Sequence, residues 1–168
     1  MSDPDPTGGA PALDPEVLDR LRRGFPLRMD ARGAFWFEED PLDHPGVVAY
    51  FRRHLDADEA GDPIILVDGK YVYVRCDDTP LRVTRITARD DAPQLLLDDG
   101  RMVPLDPASL VEEAERGMVC KVPAAESGRP LRARFGNAAL MDLDRWVTWH
   151  DDRPFVVVGD VETPVATS

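Results

Sequence analysis

The chain has 168 residues, 43% hydrophobic and 31% charged, the proportions of a globular protein that needs neither disulfides nor a metal to fold. Its 32 acidic against 20 basic residues give a formal charge of −12, a field that repels phosphate backbones and excludes a general nucleic-acid binder. The longest apolar run, Val47 to Phe51, is far short of a membrane span, and Met1 to Pro6 lacks the basic and apolar regions of a signal peptide; a cytoplasmic protein is expected.

Residues 1–12, with Pro4, Pro6, Gly8, Gly9 and Pro11, read as a disordered leader. Leu13, Val17, Leu18 and Leu21 then recur at helical spacing, with Pro15 at the first turn and Gly24 past the end. An aromatic strand, Ala34 to Phe37, follows the turn residues Arg32-Gly33. Asp43-His44-Pro45 opens a second helix to about Leu55, with Val47, Val48, Phe51 and Leu55 on one face. Ile64 to Val67, the Asp68-Gly69 turn and Lys70 to Cys76 form a β-hairpin.

Beyond it, Leu81 to Thr87 alternates as a strand, and Gln94 to Leu97 pairs with Arg101 to Leu105 across Asp98-Asp99-Gly100. Asp106-Pro107 predicts a helix to Glu115, stopped by Gly117. Met118 to Val122 and Leu131 to Phe135 read as strands, Ala138 to Trp149 as a helix, Phe155 to Val158 as a buried strand, and the residues from Thr163 as a free tail. Hairpins interrupted by single helices indicate an α+β fold. The expected organisation is an N-terminal α+β half over 13–78, a C-terminal α+β half over 79–162, a tail over 163–168, and a recurrence of elements that suggests internal duplication. The expected core includes Val47, Val48, Phe51, Leu55, Leu66, Tyr71, Val156 and Val158.

Catalytic signatures are missing from the sequence. No glycine group forms a dinucleotide fingerprint or P-loop, and none of the four serines lies in a nucleophile elbow. His44, His54 and His150 have no metal-ligand spacing. Asp56 to Asp62 imitates the start of a calcium loop, but Val67 stands where the bidentate Glu is required. Cys76 and Cys120 read as buried thiols. The acid pairs Asp142/Asp144 and Asp151/Asp152 have no histidine converging on them. No cofactor, metal or catalytic residue is expected. Arginine supplies 18 of the 20 basic residues, which suits bidentate recognition of a small anion, and the aromatics Trp36, Phe37, Tyr71, Tyr73, Trp146 and Trp149 are candidates for core or for a stacking groove.

One set of residues resembles a known family. Trp36 followed by Pro41-Leu42, the helix Val47 to Leu55, then Gly61, Leu66-Val67, Val74, Asp77-Asp78 and Thr79-Pro80-Leu81 follow the order of the bacterial domain of unknown function 1285 family. Leu97, Gly100, Val103-Pro104-Leu105 and Arg134-Phe135-Gly136 are similar to its second half. The resemblance covers about residues 25–160; the first hairpin is one residue shorter than the family's, and Asn137 follows Gly136 where the family differs. It implies two packed halves, the second like a pleckstrin-homology barrel, with a ligand cleft between them linked to nucleotide signalling and no catalytic residues. The expected function is therefore a non-enzymatic small-molecule, nucleotide-like binding or signalling module, the alternative a protein-interaction or oligomeric structural module. Trp36 and Arg134 are candidate ligand residues from the resembling segments, and Arg75 and Asn137 from chain position. A second copy or a basic protein suits the acidic surface as partner; nucleic acid and membrane do not.

Overall fold

Asp14 begins the ordered architecture: its carboxylate accepts the Glu16 amide at 2.9 Å and caps helix α1 (Pro15–Arg23). The computed structural model describes residues 13–168, so the leader expected over 1–12 lies outside the described residues. Next come strands β1 (Leu27–Met29), β2 (Phe35–Phe37) and β3 (Asp40–Pro41), then helix α2 (Pro45–His54). Strands β4 (Leu55–Ala57), β5 (Pro63–Val67), β6 (Lys70–Tyr73) and β7 (Arg75–Cys76) follow. β8 (Leu81–Arg89), β9 (Ala92–Leu97), β10 (Met102–Pro104), β11 (Val111–Glu113), β12 (Gly117–Pro123) and β13 (Pro130–Phe135) precede helix α3 (Asn137–Leu143). The chain ends in β14 (Val147–His150), β15 (Arg153–Val158), β16 (Val161–Pro164) and β17 (Ala166–Thr167).

These form four sheets, ordered β3-β2-β1-β7, β4-β5-β6, β10-β9-β8-β13-β12-β11-β17 and β14-β15-β16. The fold is α+β, largely antiparallel, with parallel pairings only at β1–β7, β8–β13 and β11–β17 among the described residues. The sheets do not close into a barrel. Asp68 and Gly69 both take positive φ (50° and 76°), which is the mirror-image turn that two-residue hairpins require. No helix among the described residues is long and apolar enough to cross a membrane.

One apolar cluster runs through all four sheets, from Leu27, Met29, Phe35 and Leu55 to Leu81, Leu95, Leu131 and Val156. Of the expected core, Leu55 and Val156 are buried, Val48, Phe51, Leu66, Tyr71 and Val158 are half-buried, and Val47 is exposed at the edge of α2. A buried carboxylate joins distant segments. Asp56 on β4 accepts the amides of Ala57, Glu126 and Ser127 at 2.8–3.1 Å and the Ser127 hydroxyl. Burial pushes its carboxyl up, but these donors outweigh that and leave it below the usual carboxylate range.

Three expected elements are corrected. The helix read over Asp106 to Glu115 is one 3-10 turn, Pro107–Ser109, followed by β11. Leu110 is drawn into the core, Val111 pairs with Val119, and Gly117 (φ 85°) serves a hairpin turn rather than a helix end. The helix read to Trp149 ends at Leu143, because Val147, Thr148 and Trp149 pair with β15, a β-branched and aromatic run that fits a pleated surface better than a helix. The tail read from Thr163 is strand: Thr163 faces Val156, and Ala166 faces Val111.

Candidate functional site

The β1–β2 turn is built by Asp30, whose carboxylate accepts the amides of Arg32 and Ala34 and the Trp36 indole N–H at 2.9–3.0 Å. The indole hydrogen bond, ahead of the backbone donors, holds the Asp30 carboxyl below its usual value. Gly33 takes φ 85°, and a Cβ there would lie 2.4 Å from an Arg82 guanidinium nitrogen. Only glycine fits this turn without displacing Arg82. The turn fixes the register Arg28↔Trp36, so the Arg28 guanidinium lies over the Trp36 ring, 5.2 Å from its centre.

On its other side β1 pairs in parallel with β7, and the register places Arg28 beside Arg75. These two strands floor an open cleft of about 740 Å³, walled by the segment Arg23 to Leu27, by Gly61 to Pro63 and by Tyr73 to Cys76, with Arg132 reaching in from β13. Four arginines (Arg23, Arg28, Arg75, Arg132) and three acids (Glu38, Asp62, Asp78) line it. Counted by formal charge this is one net positive charge, in a chain whose total is −12. Phe25, Pro26, Leu27, Val74 and Pro80 give the cleft an apolar wall.

The arginines are not equivalent. Arg23 lies 4.0 Å over the Tyr73 ring and pairs with Asp19 at 2.8 Å. Arg28 pairs with Asp77 at 2.7 Å, and Arg132 pairs with Glu113. Arg75 is exposed, with no hydrogen bond or ion pair to its guanidinium among the described residues. Adjacent like charges on paired strands are unfavourable unless something anionic lies between them.

Other groups at the cleft are committed or inert. Burial pushes the Cys76 thiol up to about 12, so at neutral pH it is no nucleophile. Burial and the hydrogen bond it donates to Asp58 at 2.8 Å raise the Tyr73 phenol. Asp78 is drawn below the usual carboxylate range, first by the Arg134 hydrogen bond. The calcium-like loop resolves the same way: Asp58 uses its carboxylate on the amides of Ala60 and Asp62 and on Tyr73. Among the described residues no group of three or more His, Cys, Asp or Glu side chains is arranged to hold a metal ion.

Of the four residues singled out from sequence, Arg75 lines the cleft and the others do not. Trp36 is half-buried beneath Arg28 and reaches the cleft only through it. Arg134 sits behind the wall, donating to Asp78 and Glu113 at 2.7 Å each and to the Arg116 carbonyl. Asn137 is exposed at the start of α3, away from the cleft lining. Arg23, Arg28 and Arg132 were missed, while Tyr73, named only among the aromatics that suit a core or a stacking groove, lines the cleft. Arg132 was within reach, since the alternation Leu131-Arg132-Ala133-Arg134 puts both arginines on one strand face. Arg28 was not, because its neighbour Arg75 is set by a parallel register between residues 47 positions apart.

No protein-family model and no curated protein matches the chain. Two solved structures do. A DUF1285 family protein from Silicibacter pomeroyi aligns with a TM-score of 0.59 at 15% identity, over 85% of this chain and 80% of its own. A DUF1285 family protein from Shewanella baltica aligns with a TM-score of 0.51 at 18% identity, over 67% of this chain and 85% of its own. At these identities the likeness establishes the fold, which is DUF1285-like, as the resemblance in sequence implied.

Proposed function

We propose that the cleft binds a small anionic, nucleotide-like molecule and that the protein is a non-enzymatic binding or signalling module. The observation that carries this reading is the Arg28–Arg75 pair: two arginines at paired positions of neighbouring strands, both lining the cleft, one of them without a counter-charge. A phosphate or carboxylate between them accepts bidentate hydrogen bonds and removes the repulsion. The apolar wall of Phe25, Pro26 and Pro80 suits a planar group attached to that anion. The inert Cys76 thiol and the committed Asp78 support binding over chemistry. Free thiols at Cys76 and Cys120 support a cytoplasmic setting.

Thermal shift with AMP, pyrophosphate and inorganic phosphate, at matched ionic strength, tests the reading. A ligand at about 100 times its dissociation constant adds roughly 2.7 kcal/mol. The Arg28→Ala, Arg75→Ala double variant should lose that gain. A shift that survives in the double variant rules out this cleft.

The second reading, a protein-interaction or oligomeric module without a small ligand, is favoured by one observation. Trp149 and Val161, on β14 and β16, are 63% and 64% exposed. Failure of every anion to stabilise the protein would shift the weight there.

A further inference from the structure

Helix α1 meets the body through Leu18, which is half-buried, and through two arginines. Arg22 lies 4.0 Å over the Tyr71 ring, Arg23 lies 4.0 Å over the Tyr73 ring, and no residue of the helix is buried. The other apolar positions point outward: Leu13, just before the helix, and Val17 and Leu21 on it are 55%, 40% and 59% exposed. An amphipathic helix ordinarily turns its apolar stripe to the core. This one leaves three large aliphatic side chains, spaced four residues apart, on the surface.

The charges around the stripe show what fits it. Asp14 and Glu16 lie at the N-terminal end, and Arg20, Arg22 and Arg23 at the C-terminal end. At 100° per residue Glu16 and Arg20 fall on the same flank of the stripe. Arg22 and Arg23 are held against tyrosines, whereas neither Glu16 nor Arg20 has an ion-pair partner among the described residues. A twofold axis across the stripe brings an identical helix in antiparallel. Each Glu16 then faces the Arg20 of the other copy, and the opposed helix dipoles are compatible.

We infer that a second copy of this chain docks on α1, as an antiparallel helix pair closed by Val17 and Leu21 and flanked by two reciprocal Glu16–Arg20 contacts. A membrane surface fits less well, because Arg22 and Arg23 are turned to the body and the one arginine left beside the stripe, Arg20, shares its flank with Glu16. A helix of nine residues makes a small interface, at the weak end of specific association. The surface is separate from the Arg28–Arg75 pair and stands or falls without it.

Sedimentation of the full chain across a concentration series is the test. The expected result is a reversible dimer that Leu21→Asp abolishes with the thermal midpoint unchanged. Glu16→Arg alone and Arg20→Glu alone should each weaken it about tenfold through like-charge contacts, and the combined exchange Glu16→Arg, Arg20→Glu should restore it. A monomer throughout overturns the inference, as does a dimer indifferent to Leu21→Asp or to the charge exchange. Dimerisation that appears only on removal of residues 1–12 assigns the stripe to that segment and overturns it too. So does co-sedimentation with anionic vesicles of phosphatidylglycerol and phosphatidylcholine that Leu21→Asp abolishes.

Discussion

Two arginine groups lie within a short reach of each other and obey opposite rules. Around Arg134 every charge is answered: Asp78, 7% exposed, accepts from Arg134 and Arg116, while Glu113 accepts from Arg134 and Arg132. At Arg28 and Arg75 the register instead sets two cations together, and only Arg28 has a counter-ion. The first group is a structural clamp between β13, β11 and the segment after β7. The second leaves one cation unanswered within the protein. What separates them is whether the polar groups are satisfied internally, a better guide to a ligand site than the number of arginines.

The largest break of this comparison is Arg134→Ala. It leaves Asp78 with Arg116 alone and Glu113 with Arg132 alone in a half-buried setting and should cost about 3 kcal/mol, read by urea unfolding. Arg82 occupies intermediate ground, one guanidinium nitrogen buried without a partner while another meets the Ala31 carbonyl. Gly33→Ala should push that side chain out and strain a positive φ, lowering stability by roughly 2 kcal/mol; a wild-type midpoint would show the contact to be soft.

Acid sharpens the contrast further. Arg134 holds both Asp78 and Glu113 below their ordinary values. Their contribution is therefore fully present above the ordinary carboxylate range, near 4, and is lost as pH falls through their folded values. Wild type should lose stability between about pH 5 and 3 more steeply than Arg134→Ala, so the two curves converge at low pH. Parallel curves would mean that Arg134 stabilises by packing alone. The smallest effect belongs to Arg75→Ala, which removes a cation with no partner. Stability should stay within about 0.5 kcal/mol of wild type or rise slightly, while any anion-induced thermal shift disappears.

Local chemistry made much of the fold legible. Pro15 and Gly24 bracket α1, His44-Pro45 starts α2, and Asp68-Gly69 turns the β5–β6 hairpin, all visible as residue types. What stayed hidden was decided by distant partners. Val111 to Glu113 and Val147 to His150 become strands because β12 and β15 are there to pair with them. Periodicity also found α1 correctly but could not say which way it faces, since an outward apolar stripe and an inward one read identically. For the site, Arg75 emerged from chain position, whereas Arg28 required the parallel β1–β7 register.

The Asp56 carboxylate has a consequence for how the chain can be divided. It is made on β4, yet two of its backbone donors lie at Glu126 and Ser127, about 70 positions later. A chain severed between Asp77 and Pro80 would leave one fragment with a desolvated anion and the other with two amides aimed at nothing. Neither piece reaches its lowest free energy by itself, and each is the other's missing solvent. Mixed together, such fragments should assemble into a complex that dissolves in acid, because protonating that single carboxylate weakens the seam from within.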